Sequence, residues 1–391
     1  MGRTREAAAN GTVQETGTEP HKKLRKGAYP VAETRPKALI AMSGGVDSTV
    51  SAYLMMRAGF DCVGVTMRLF DTTDIGTPTE KSCCSIENVD DARSVCDKLG
   101  IPFYPIWYRD EFRAMVMDKF VDDYEHGRTP NPCVECNRAL KFDHLFQKAR
   151  ELGCNTLVTG HYARISYNET TGRFELKKAV YEDKDQSYVL YAMTQDQLAH
   201  IRFPLGDYTK PEVRAIAEEQ GFVNAKRHES QDICFIPDGD YAAFIERYTG
   251  KTYPAGSYLD KDGNVLGQHR GIIHYTVGQR KGLGITFGEP RYVCDILPDQ
   301  NAVVLGKNED LFRTELLADD VNFISVASLD GPTACTAKVR YKQADKPATV
   351  IPLPDGTVKV VFDEPQRAIT RGQAVVFYQG DTVLGGGTIV E

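Results

Sequence analysis

Between residue 36 and about residue 160, short apolar, β-branched runs alternate with stretches of helical periodicity, and this alternation limits the fold more than any other feature. Residues 37–42 read as a first strand. A turn, Ser43-Gly44-Gly45-Val46-Asp47-Ser48, leads into a helix marked by Val50, Tyr53, Leu54 and Arg57 and closed by Gly59. Residues 62–70 give a second strand, 86–99 a helix ending at Gly100, and 101–108 a third strand. Phe112, Val116, Phe120 and Tyr124 recur at helical spacing; residues 138–152 make a further helix and 155–159 a fourth strand. The order predicts an α/β fold, a doubly wound parallel sheet with helices on both faces. Ligands of such sheets sit beyond the carboxyl ends of the strands.

The flanks read differently. Residues 1–35 hold too few apolar side chains to pack and are expected to be a disordered tail. Lys22, Lys23, Arg25 and Lys26 form a basic cluster there, while Glu6, Glu15 and Glu19 count against a transit peptide. After about residue 240, Gly and Pro become frequent and short strands are expected at 258–259, 265–266, 272–275, 291–296 and 302–305. Further strands follow at 336–341, 358–362, 374–378 and 387–390, with Asp262-Gly263 and Asp355-Gly356 as hairpin turns. The expected division is a tail (1–35), a catalytic domain (36–240), a small β-rich central domain (241–312) and a C-terminal β-barrel (313–391).

Composition excludes some classes. No apolar run reaches the roughly 18 residues of a membrane span, and no secretory h-region is present, so a cytoplasmic protein without membrane contact is expected. Ten cysteines in 391 residues are too few for a disulfide scaffold. A net charge of −7 argues against general coating of nucleic acid but leaves room for a local basic face.

Three motifs carry chemistry. In the first, Gly44 and Gly45 let backbone approach a phosphate at a helix N-terminus, and Ser43 and Ser48 add hydroxyls. Asp47 repels a bare phosphate, so it implies a cation or a role in fixing the backbone. The loop lacks the Walker lysine; its bland alternative is an ordinary two-glycine turn. The second motif is Thr129-Pro130-Asn131-Pro132-Cys133-Val134-Glu135-Cys136-Asn137-Arg138. A helix expected to begin near Asn137 would favour thiolate at Cys136; the alternative, half of a zinc site, lacks a second C-x-x-C. The third places Cys234 after the polar residues Ser230, Gln231 and Asp232. Alone, Cys234 would pass for a small buried hydrophobe.

The loop resembles that of the ATP-pyrophosphatases, and the three motifs together resemble the tRNA-specific 2-thiouridylase family. Residues 160–162, 184–188, 274–284, 339–341 and 367–373 agree with that likeness. The resemblance implies ATP, with Mg2+, on Ala41, Met42, Ser43, Gly44, Gly45, Val46, Asp47, Ser48, Met67 and Gly160. The C2 oxygen of the wobble uridine, U34, would be adenylated and then displaced by sulfur. It also implies catalytic thiols at Cys136 and Cys234, the latter carrying a persulfide, and a Cys136–Cys234 disulfide after transfer. Asn131, Pro132 and Cys133 would meet a target base taken out of its stack. His161, Lys184, Asp185, Gln186, Arg340, Tyr341 and Gln373 would contact tRNA, as would the central domain, with Gln279, Arg280 and Lys281 as a further backbone-contact loop. The implied partners are tRNAs for Lys, Glu and Gln and a sulfur-relay protein or cysteine desulfurase.

One position departs from the family pattern. Cys133 stands where many members have an Asp assigned to proton transfer. Cys133, Cys136 and Cys234 also make a set suited to a [4Fe–4S] cluster, so persulfide relay and cluster are both open. Cys83 and Cys84 have no assigned role, while Cys62, Cys96, Cys154, Cys294 and Cys335 are expected to be packing residues. Competing classes are an ATP-pyrophosphatase that amidates a small molecule and a non-catalytic RNA-binding or iron–sulfur scaffold. If a local basic face binds tRNA, affinity falls as salt rises. A dissociation constant that stays flat between low and high salt, measured by filter binding, contradicts this.

Overall fold

The strand at the centre, β1 (Lys37–Ala41), carries Ala38, Leu39 and Ile40 with no exposed surface. A run apolar on both faces belongs in the middle of a covered parallel sheet. In the computed structural model, which describes residues 35–76, 86–225, 233–286 and 288–391, it does so. It pairs in parallel with β2 (Asp61–Arg68) and, on its other side, with β4 (Thr156–Val158). β3 (Phe103–Trp107) extends the sheet beyond β2, and a short strand, Ile201–Arg202, extends it beyond β4. Leu39, Val65 and Leu157 face one apolar core; Ala38, Ile40 and Val158 face another. The sheet is therefore doubly wound, as the alternation of elements implied.

The first helix, α1 (Val46–Arg57), starts directly after the glycine turn and ends before Gly59. The residues at helical spacing, Phe112, Val116, Phe120 and Tyr124, are all buried on one helical stretch, 109–125. Phe120 lies at the centre of an aromatic cluster with Tyr124, Phe235, Tyr241 and Phe244.

Three local expectations are corrected. The helix expected near residue 137 starts one turn earlier, at Pro132–Glu135, widens to π geometry over Cys136–His144 and continues through Leu145–Glu151. Proline at the first helical position loses no hydrogen bond, and Asn131 caps the Val134 N–H. The β-rich central domain expected from residue 241 opens instead with a helix, Tyr241–Thr249, capped by Asp240. The segment around 272–275 is a short 3-10 turn, Ile272–His274, entered from Gly271 at φ +117°, where an extended strand cannot continue.

The second sheet contains Gly256–Leu259, Val265–His269, Tyr292–Leu297 and Ala302–Gly306. The C-terminal strands Phe312–Phe323, Thr333–Lys338, Lys346–Pro352, Val358–Arg367, Ala374–Gln379 and Thr382–Ile389 form a barrel. Pairing of the first of these with the last closes it. A hairpin from the first module, Arg164–Asn168 with Arg173–Lys177, joins the barrel edge at Lys177↔Thr382. The tail to residue 34, Cys83, Cys84 and residues 226–232, with Ser230, Gln231 and Asp232, lie outside the described residues. Among those described, no helix is long and apolar enough to cross a membrane.

Phe120→Ala empties the centre of the aromatic cluster and should cost about 3–5 kcal/mol. Thermal melting should then fall by several degrees; an unchanged melting temperature contradicts this packing account.

Candidate active site

The turn between β1 and α1 is held open by several independent contacts. Gly44 adopts φ +76°, and a Cβ there would stand 2.4 Å from the Asn88 carbonyl oxygen. The Ser48 hydroxyl accepts from the Ser43 N–H at 3.2 Å and donates to the Gly45 carbonyl at 3.0 Å. Asn224, buried, donates to the Gly44 carbonyl and to the Thr49 hydroxyl, both at 2.8 Å. A Cβ on Gly160 would stand 2.9 Å from the Ser48 nitrogen, so this position lets β4's outgoing loop lie against the start of α1.

Asp47 has a clear role. Its carboxylate accepts from Lys210 Nζ at 2.7 and 2.8 Å and from the Tyr162 hydroxyl at 2.7 Å. Of the two roles left open by the sequence, the structure supplies backbone fixing, with the protein's own cation. Lys210 is buried at the first position of the helix Lys210–Glu219, whose start is set by a capping box between Thr209 and Glu212. That this lysine crosses to residue 47 was not visible in the sequence.

Two adjoining cavities lie at the carboxyl end of the sheet. The smaller, about 250 Å³, is lined by Ala41, Met42, Ser43, Asp47, Ser48, Met67 and Gly160 of the expected nucleotide set, with Val65 and Leu69 as an apolar wall. The larger, about 940 Å³, is bordered by Gly45 and Val46 on one side and by Lys338, Tyr341 and Lys342 of the barrel on the other. Gly44 lines neither cavity and packs on Asn88 instead. Lys141 lines both and donates to the Asn137 side-chain oxygen at 2.9 Å. Sequence reasoning missed Lys141.

The residues expected to contact tRNA fall into two groups. Lys184, Gln186 and Tyr341 line the larger cavity, and Lys338 stands 5.8 Å from the Tyr341 ring centre. The others are engaged internally. His161 is enclosed in the smaller cavity, bonded to the Thr159 hydroxyl at 2.7 Å and flanked by Phe142 and Phe203. Burial and the Lys141 charge hold its pKa well below the ordinary histidine value, so it is neutral near pH 7. Asp185 lines the larger cavity but is buried, and accepts from the Ala179 and Ser187 N–H groups and the Ser187 hydroxyl. Arg340 donates to the Ala368 carbonyl. Gln373 donates to the carbonyls of Thr129 and Pro130.

The thiols lie beside this region. Pro132 is buried, Cys133 is exposed, and Cys136 is 9% exposed in the main apolar cluster. Cys234 packs against that same cluster. Its neighbour Phe235 meets Phe112 and Phe120 edge-on, while Glu135 pairs with Lys119 at 2.7 Å, so the stretch 109–125 supports both thiol segments. Because the helix starts at Pro132, the N-terminal field acts on the first-turn Cys133 more than on Cys136. Among the described residues no three His, Cys, Asp or Glu side chains are gathered in a way that could hold a metal ion. Burial pushes the thiols of Cys62, Cys96 and Cys335 up to about 12, and raises those of Cys154 and Cys294. The shift disfavours thiolate at all five near neutral pH.

Residues 36–238 match the family model described as tRNA methyl transferase HUP domain. Residues 242–307 match the tRNA methyl transferase PRC-barrel domain and 313–389 the aminomethyltransferase beta-barrel domain. The chain is 52% identical over 353 residues to the tRNA-specific 2-thiouridylase MnmA of Clostridioides difficile (strain 630), covering 90% of this chain and 98% of that protein. It is 50% identical over 357 residues to the protein of the same name from Acetivibrio thermocellus, covering 91% and 99%. Among solved structures it is similar to the U34-tRNA thiolase NcsA from Methanococcus maripaludis with its [4Fe-4S] cluster, at 17% identity and a TM-score of 0.34, covering 56% of this chain and 69% of that one.

Lys210→Ala leaves the Asp47 carboxylate without its cation beside the loop. The carboxylate is partly solvated, so the expected loss of ATP affinity is roughly ten- to hundredfold rather than the full cost of a buried pair. Calorimetric titration with ATP reads it; an unchanged affinity contradicts the role given to this pair.

Proposed function

The chain belongs to the tRNA-specific 2-thiouridylase family, and on that premise we propose a two-step thiolation of U34 of tRNA carried out across the two adjoining cavities. ATP occupies the smaller cavity, its phosphates against the Ser43–Ser48 turn and its base toward Met67. The N–H groups at the start of α1 hold the phosphates. Mg2+ would accompany the triphosphate and offset its charge; the Ser43 and Ser48 hydroxyl oxygens are the groups this chain would offer it, since Asp47 is committed to Lys210 and Tyr162. The uridine, unstacked, enters from the larger cavity.

In the first step the C2 oxygen attacks the α-phosphorus and pyrophosphate leaves. Lys141, where the cavities meet, places a cation near the developing charge. In the second step the outer sulfur of a Cys234 persulfide attacks C2 and the C2–O bond to AMP breaks. The Cys136 thiolate attacks the Cys234 sulfur, cleaves the S–S bond and leaves the sulfur on the base. The products are 2-thiouridine, AMP and a Cys136–Cys234 disulfide, which two electrons from a thiol reductant reopen. Asn131, Pro132 and Cys133 border the base in this reading.

The observation that carries this reading is the junction itself: a cavity of about 250 Å³ beside the Ser43–Ser48 turn opens at Lys141 onto a larger one lined by lysines of two modules. Residues 36–240 would supply catalysis, while 241–312, through the exposed Arg280 and Lys281, and 313–391, through Tyr341, would grip tRNA together with Lys184 of the first module. The substrates are the wobble-uridine tRNAs for Lys, Glu and Gln, the sulfur comes from a relay protein or cysteine desulfurase, and the site of action is the cytoplasm.

Cys136→Ser and Cys234→Ser should each lower 2-thiouridine formation at least roughly a thousandfold, by mass spectrometry of digested tRNA, while tRNA-dependent release of pyrophosphate continues. Thiolation retained in both variants rejects the thiol assignments. Pyrophosphate exchange indifferent to tRNA points instead to amidation of a small molecule.

A further inference from the structure

The barrel is joined to the thiol-bearing segment on both sides of Cys136. On the N-terminal side, Gln373 Nε2 donates to the carbonyls of Thr129 at 2.8 Å and Pro130 at 3.1 Å, and the Thr129 N–H donates to the Arg371 carbonyl at 2.8 Å. The approach is close: a Cβ on Gly372 would stand 3.1 Å from the Thr129 nitrogen. On the C-terminal side, the Arg138 guanidinium grips both carboxylate oxygens of Asp320, one of them at 2.9 Å. Arg138 lies two residues after Cys136 on the same helix.

Asp320 is unusual. It sits at φ +46°, where the strand pairing is interrupted between Asp319 and Asn322. Left-handed backbone is costly for most residues and tolerated by Asp and Asn. Two residues on, Asn322 donates to the carbonyls of Tyr191 at 2.7 Å and Met193 at 3.0 Å, which anchors this part of the strand independently of Arg138. The Arg138 and Asp320 side chains are 44% and 46% exposed, so their pairing adds little to stability. A strained backbone kept for a weak but two-pronged pair serves geometry rather than stability.

We propose that Asp320, through Arg138, and Gln373, through Thr129 and Pro130, are positioning residues for sulfur transfer, fixing the Cys136 turn against the barrel at both ends. The inference rests on the role given to Cys136 above. It makes the barrel part of the second chemical step in addition to tRNA binding. It also gives Gln373 a role at the thiol segment, to which its amide nitrogen donates.

The test uses the full chain in single-turnover reactions with persulfide-loaded enzyme, saturating ATP and tRNA. Asp320→Asn keeps a residue tolerant of this backbone and removes the charge; Asp320→Gly relieves the backbone outright. Gln373→Met removes the donating amide at similar volume. Each should slow thiolation at least roughly tenfold, since small misplacements of reacting groups are costly in rate. Pyrophosphate release and tRNA affinity should stay within about twofold of the parent. The double variant Asp320→Asn, Arg138→Met should be no slower than the slower single variant. Alkylation of Cys136 by iodoacetamide in the intact protein should also change in rate for Asp320→Asn and Gln373→Met.

Wild-type thiolation rates in these variants overturn the proposal. So does a loss of tRNA affinity or pyrophosphate release that matches the loss of thiolation, which would return Gln373 to RNA binding or mark a general structural defect. If instead Cys136→Ser thiolates normally, it is the assignment of the thiol that fails.

Discussion

The neutralisation of Asp47 is the constraint on which the rest of the site depends. A carboxylate in a turn built for phosphates repels its own ligand unless something cancels it. Lys210 and the Tyr162 hydroxyl do so from outside the turn, one from a helix that follows the sheet and the other from the loop leaving β4. The cost of burying the lysine is offset by a short contact to each carboxylate oxygen. With the charge cancelled, Asp47 becomes a tether that fixes the start of α1, and the N–H groups there stay available to a ligand. Gly44 and Gly160 complete the arrangement by leaving out side chains that would strike Asn88 and Ser48.

From that anchored turn the molecule is organised outward. The small cavity has apolar walls and a polar floor, as a nucleotide requires; the larger one borrows its lysines from both the first module and the barrel. Lys141 stands at their junction on the helix that begins with the cysteine motif, so nucleotide and thiols are related through one continuous helical element. The stretch 109–125 supports that helix through Lys119 and supports the Cys234 segment through its aromatic face. Activation and sulfur delivery thus share a scaffold although their residues are about 190 positions apart in the chain.

Much of this was legible in the residues. Strands such as 37–41 declare themselves because burial on both faces demands continuous apolar runs, and turns such as Asp262-Gly263 because few residue pairs fit them. Ala41, Met42, Ser43, Ser48, Met67 and Gly160 meet in one cavity, as the motif implied. What escaped depends on contacts distant in sequence. Lys210, Asn224 and Lys141 look like ordinary helix or loop residues until the fold directs them at the turn. The helix start at Pro132 was obscured because proline reads as a breaker, although at the first position it breaks nothing. Helix 241–249 was hidden by the Gly- and Pro-rich texture that follows it. Asp185 and Gln373 also make hydrogen bonds within the protein that no motif shows, because their partners are set by the fold.

The central claim is that two thiols remote in sequence act on one activated uridine. Its most direct test is a single turnover without added reductant, quenched with acid and alkylated, followed by peptide mapping under non-reducing conditions. The account predicts one Cys136–Cys234 disulfide for each 2-thiouridine formed. Stoichiometric 2-thiouridine with both cysteines still open to alkylation would contradict it.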